Sequence, residues 1–286
     1  MSPTPFILDG VIAAIVSLVI LTIAWRPWSR SSAADGRWGG PAALAAGYCC
    51  NVPRILGHFP RLSPVILPDC IFYVAILVAI FGVIDGLLRP PPWLRKLMAV
   101  PVLAAALLLV LLNQLHNPES RGTAIVWFLA ALAVMLVWLY VFERPAEPID
   151  HLAQPLALLI FCLFTGVILF ISTRSFIYGR LGNSMTGAVA PMVLLGLRKR
   201  FTPSSATVVL VAVLGSLLLA GKIFTELPWL NLILVCIAPI FYLLVHQNLP
   251  RHWSPTARAA ISLPMLALPL LVATAVSIPD FLRSLS

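Results

Sequence analysis

Residues Thr123 to Phe142 read TAIVWFLAALAVMLVWLYVF, 20 residues without a charge. The hydrocarbon core of a bilayer takes about 20 apolar residues as an α-helix. The run does not alternate apolar with polar, as a barrel strand would. A helix satisfies its own backbone N–H and C=O groups where no water can. The stretch therefore reads as a membrane-spanning helix, and the rest of the chain follows from it.

Seven further runs have the same character: Phe6 to Trp25, Cys70 to Leu88, Leu97 to Leu112, Leu156 to Ser172, Ala206 to Gly221, Leu227 to Val245, and Ala259 to Ile278. Asp9 and Asp85 are the only charges inside them. The chain has 286 residues, 60% hydrophobic and 10% charged, against about 25% charged in globular proteins. That excludes a secreted domain and a nucleotide-binding α/β enzyme. No Lys or Arg precedes Phe6, so the first run lacks the basic start of a signal peptide and reads as a retained span. A ninth apolar stretch, Met185 to Leu197, has 13 residues and contains Pro191; at that length it reads as re-entrant or interfacial. The expected fold is an all-α integral membrane protein, a polytopic bundle of about eight transmembrane helices, or nine if residues 185–197 span. Residues 1–286 form a single transmembrane domain with two long cytoplasmic loops, 26–69 and 173–205.

The net charge of +9 is spread over short connectors and not gathered in a basic, aromatic-interleaved domain, so no nucleic-acid partner is expected. Connector cations set membrane orientation. With eight spans the loops on the side of Arg26 hold 13 Lys and Arg against six opposite, and with nine the count is 10 against nine. The bias favours eight spans in a cell membrane, plasma or inner, with both termini outside. Trp25, Trp28, Trp93, Trp127, Trp229 and Trp253 fall at or near run ends, as an aromatic belt does. Pro101, Pro239, Pro264 and Pro269 lie inside runs and predict kinks. In the loop 26–69, Pro53, Pro60, Pro64 and Pro68 forbid a long helix, which predicts a short surface helix followed by an extended strap.

Ionisable residues at membrane depth are functional candidates. Asp9 lies three residues into its run and reads as interfacial. Asp85 is an ion or proton candidate; it also stands at i+4 from Arg89, where the two can pair. Gly82 and Gly86 form a GxxxG face for a helix partner. The stretch Asp85-Gly86-Leu87-Leu88-Arg89 is similar to the DGxxAR core of the CDP-alcohol phosphotransferases in outline only: Leu88 precedes the arginine, and the further aspartates that would hold magnesium are missing, so the match is rejected.

Polar residues gather at run ends on the side taken as cytoplasmic. They are Asn113 and His116 after the third run, Arg174 after the fifth, Arg180, Asn183 and Thr186 beyond it, and His246 and Asn248 after the seventh. These are the ligand-binding candidates. Gly179, Gly182 and Gly187 would let backbone approach a ligand, and a helix start near Thr186 would offer amides to an anion. The same residues also fit the plainer reading, in which helix ends meet anionic lipid headgroups at the cytoplasmic face. The histidine spacing matches no metal pattern, no catalytic residue is assigned, and no cofactor is expected. Three functions remain open: a transporter or translocator of a small anionic or lipid-linked solute, a non-catalytic anchoring or scaffold subunit, and an intramembrane lipid-modifying enzyme using His116 or His246 as base.

Overall fold

The computed structural model describes residues 4–25, 37–61, 67–143, 153–173, 175–196, 204–250 and 253–283. Every regular element among them is an α-helix: α1 (Thr4–Trp25), α2 (Gly39–Cys49), α3 (Val52–Leu56), α4 (Leu67–Leu88), α5 (Pro92–His116), α6 (Arg121–Glu143), α7 (Ala153–Thr173), α8 (Phe176–Gly196), α9 (Ser204–Phe224), α10 (Trp229–Asn248) and α11 (Pro255–Arg283). Eight of these are long and apolar enough to cross a membrane, and they are the eight runs of the sequence. The internal prolines Pro101, Pro239, Pro264 and Pro269 sit within helices.

α1 shows how lipid and protein share a helix surface. Ile7, Val11, Ile15, Val19 and Ile23 are exposed, while Asp9, Ala13, Ser17, Leu21 and Trp25 are buried. Each set recurs every four residues, which is one face of an α-helix. α9 is the opposite case: every residue from Ser205 to Gly221 is buried, so it forms the middle of the bundle.

Two segments depart from the expected loops. Residues 176–196 form one unbroken helix, α8, so the cytoplasmic loop 173–205 with its short re-entrant piece is replaced by a helix of full membrane length, about 31 Å at 1.5 Å per residue. Residues 39–56 are not a surface helix and strap. α2 is buried along most of its length and runs antiparallel to α1. Gly39 meets Ala24, Gly47 meets Ala13, and Asn51 meets Asp9. The chain breaks at Cys50–Asn51 and continues as α3 to Gly57, whose φ is +76°, the left-handed conformation that favours glycine. α2 and α3 together therefore cross the depth of the bundle as a broken helix.

The two added crossings change which helix ends lie together. We call the face where α1 begins the near face. α8 runs parallel to α1, with Asp9 beside Arg180 and Ser17 bonded to the Ala188 carbonyl. α4 runs back along α2, and α5 and α6 meet its far end through Arg95. α5 and α7 therefore end at the near face and α10 at the far face. The start of α1 and the end of α11 share the near face, where Phe6 and Phe281 both pack on Phe170 at 5.7 and 5.6 Å. With eight crossings Glu119 and Trp253 would share a side; here they lie at opposite ends. Single cysteines at these positions in a cysteine-free protein, probed with an impermeant maleimide on intact cells, are expected to label from opposite compartments.

Small residues bring the backbones together. A Cβ at Gly182 would stand 2.6 Å from Gly166 Cα, joining α8 to α7, and one at Gly187 would collide with the Gly10 carbonyl of α1. Gly179 accommodates the Phe170 ring. The glycines expected to admit a ligand are spent on helix packing, as in other small-residue membrane interfaces.

Candidate functional site

The near face holds a buried charged node. Asp9 is 0% exposed. Arg180 of α8 grips it with two bonds, Nε to Oδ2 at 2.5 Å and Nη2 to Oδ1 at 3.1 Å, the fork geometry that suits a carboxylate. Arg54 of α3 adds Nη1 at 3.7 Å. One carboxylate thus faces two guanidiniums. Asn51, at the break between α2 and α3, donates from Nδ2 to the Asp9 carbonyl at 2.6 Å and to Ser184 Oγ at 3.2 Å. Asn183 donates to the Phe6 carbonyl at 2.6 Å. Asp9 is therefore the centre of a contact between α1, α3, α8 and the α2–α3 junction, buried near the start of its helix.

The far face holds a node of opposite balance. Arg95 of α5 lies between two acids: its Nε is 3.3 Å from Asp85 Oδ2, and its Nη2 is 2.6 Å from Glu143 Oε1. Ser205 Oγ donates to Asp85 Oδ2 at 2.7 Å. Asp85 thus pairs across to the next helix, and Arg89 reaches it through the backbone, donating its N–H to the Asp85 carbonyl at 3.0 Å. The face of Gly82 and Gly86 is filled from within the chain by Pro41, Trp38 and Ser205.

The expected ligand-binding set does not converge. Asn113, His116, Arg180, Asn183 and Thr186 belong to the near half, His246 and Asn248 to the far face, and Arg174 lies outside the described residues. His116 Nδ1 meets the Leu112 carbonyl at 2.8 Å, and Asn248 donates to the Leu244 carbonyl at 2.9 Å; each satisfies the last turn of its own helix. Thr186 stands mid-helix and donates to the Gly182 carbonyl at 3.2 Å, so no helix starts there. His246 stacks on Tyr242 at 5.6 Å. Of the set, Arg180 and Asn183 join the Asp9 node.

A polar cavity of about 340 Å³ opens on the near face, between α7, α10 and α11. Ser172, Thr173, Thr225, Glu226, Asn231, Ser277 and Asp280 supply its polar lining, with no basic side chain among the described residues. Asn231 organises it. This residue is 1% exposed, and its Nδ2 donates to Ser172 Oγ at 2.8 Å and Ser277 Oγ at 2.7 Å. Its Oδ1 is buried without a partner among the described residues, and an unsatisfied buried acceptor costs about 1–3 kcal/mol. Glu226 stands in the connector before α10 with φ +55°. Asp280 reaches Arg283 on its own helix at 3.5 Å. The signal for this cavity is present in the sequence, because Asn231 is the one amide inside the apolar run Leu227 to Val245. Its serine partners lie 59 and 46 residues away, which spacing does not reveal. No protein-family model matches the chain, and no curated protein matches it.

Proposed function

We propose that this multi-pass protein is a membrane transporter whose solute enters the Asn231 cavity, and that the solute is a small ammonium compound. The observation that carries this is the Asn231 Oδ1: a buried acceptor with no partner among the described residues, lining a cavity whose other described polar groups are hydroxyls and carboxylates. A primary ammonium brings three N–H donors and a positive charge. Glu226 supplies the counter-charge, with Asp280 shared with Arg283, and Ser172 and Ser277 supply further acceptors. The volume lies within the range of small-molecule sites, about 300–1,000 Å³. The expected anionic solute is set aside, since Arg180 is committed to Asp9 and the histidines stand at opposite ends.

Two features support a moving bundle. α2–α3 is a discontinuous helix, a feature of transporter sites. Charged nodes tie different helices together at the two faces.

Purified protein tested with ethanolammonium, methylammonium and acetate decides the reading. An ammonium at ten times its Kd adds about 1.4 kcal/mol of stability, and we expect that rise for an ammonium and none for acetate, with Asn231→Leu abolishing it. Proteoliposomes preloaded with the active ammonium should accumulate its labelled form. Stabilisation by acetate alone, or an ammonium response that survives Asn231→Leu, would overturn the assignment.

A further inference from the structure

A second cavity, on the lipid-facing side of α6, α9 and α10, is unlike the first. Its volume is about 330 Å³. Ala130, Ala131, Val134, Leu218 and Ile233 are among its apolar walls, and Lys222 is the one charged lining residue among the described residues. Trp127 and Trp229 stack at 5.3 Å at its near-face end. Lys222 Nζ lies 4.2 Å from the Trp229 ring centre and donates one bond to the Leu227 carbonyl at 2.9 Å. An ammonium has three donors, so two remain at the mouth. The other end is closed by Trp138, 1% exposed, whose indole N–H is tied to the Cys236 carbonyl at 3.1 Å.

From Trp127 to Trp138 the slot runs along α6 for about 16 Å at 1.5 Å per residue. That is close to half of the roughly 30 Å hydrocarbon core, the depth of one leaflet. A cation over one tryptophan of a stacked pair and an apolar slot one leaflet deep match an acyl chain below a negative headgroup. We propose that this slot holds one acyl chain of an anionic glycerophospholipid, with its phosphate on Lys222. The site is separate from the Asn231 cavity and does not depend on the transport reading.

Native mass spectrometry of the purified protein with equal phosphatidylglycerol and phosphatidylcholine tests this. A lysine near the surface contributes about 1 kcal/mol towards anionic lipid, so the wild type is expected to retain phosphatidylglycerol roughly fivefold better. Lys222→Gln should remove the preference, and Lys222→Arg should keep it. Ala130→Phe, on the exposed wall of the slot, should lower retention of both lipids without loss of fold. Equal retention by the wild type, or an undiminished preference in Lys222→Gln, would overturn the proposal. So would unchanged retention in Ala130→Phe.

Discussion

Asp9→Ala is expected to lower the stability of the purified protein by about 3–5 kcal/mol, the usual cost of removing one partner from a buried ion pair. Arg180 is left behind with 13% side-chain exposure, whereas Arg54, at 40%, can turn to water. The cost therefore falls on Arg180. The reverse change, Arg180→Ala, should cost less, because Arg54 stays within 3.7 Å of the carboxylate. Asp9→Leu combined with Arg180→Met should recover much of the loss, since an apolar pair of similar volume can replace a buried ion pair at little cost. The measure is the monodisperse fraction surviving a temperature series in detergent. An Asp9→Ala protein as stable as the wild type would refute the node, as would a double variant no better than the worse single one.

Gly187→Leu should prevent folded protein from accumulating. The new Cβ meets the Gly10 carbonyl oxygen, and that obstacle is backbone, which cannot rotate away. α1 must lift off α8, losing the Ser17 bond to the Ala188 carbonyl and the register that sets Asp9 beside Arg180. Overpacking costs about 1–3 kcal/mol where side chains can shift, and more where they cannot. Gly122→Leu is the matched control, because nothing lies within 4 Å of its Cβ position; it should stay within about 0.5 kcal/mol of the wild type. Equal yields of the two variants would contradict the α1–α8 contact.

Hydropathy reads apolar length, whether it faces lipid or, as in the buried α9 with its Val and Leu, other helices. α1, α4 and α6 each expose an apolar face to lipid, and the sequence marks them plainly. α2 and α8 are walled by other helices, so they are free to be built from Gly, Ala, Ser and Asn, and a search for apolar length passes over them. The consequence reached further than two helices. One added crossing before α4 inverts everything after it, and the second, at α8, restores the original sense. The common side of the two termini therefore survived the reading, while His116 and His246, placed on one side, lie on two. The Asp9 node was hidden for another reason: its partner is 171 residues away, and only the fold brings the two together.

The broken α2–α3 segment also bears on how the chain enters its membrane. α2 has 11 residues, fewer than the roughly 20 that span a bilayer as a helix, and α8 mixes Gly, Ser, Asn and Thr with its apolar residues. α2–α3 is matched along its length by α1, already synthesised, and brings Arg54 to Asp9, whereas Arg180 follows 126 residues later. The Asp9 node is therefore begun by the first three helices and completed only when α8 joins α1.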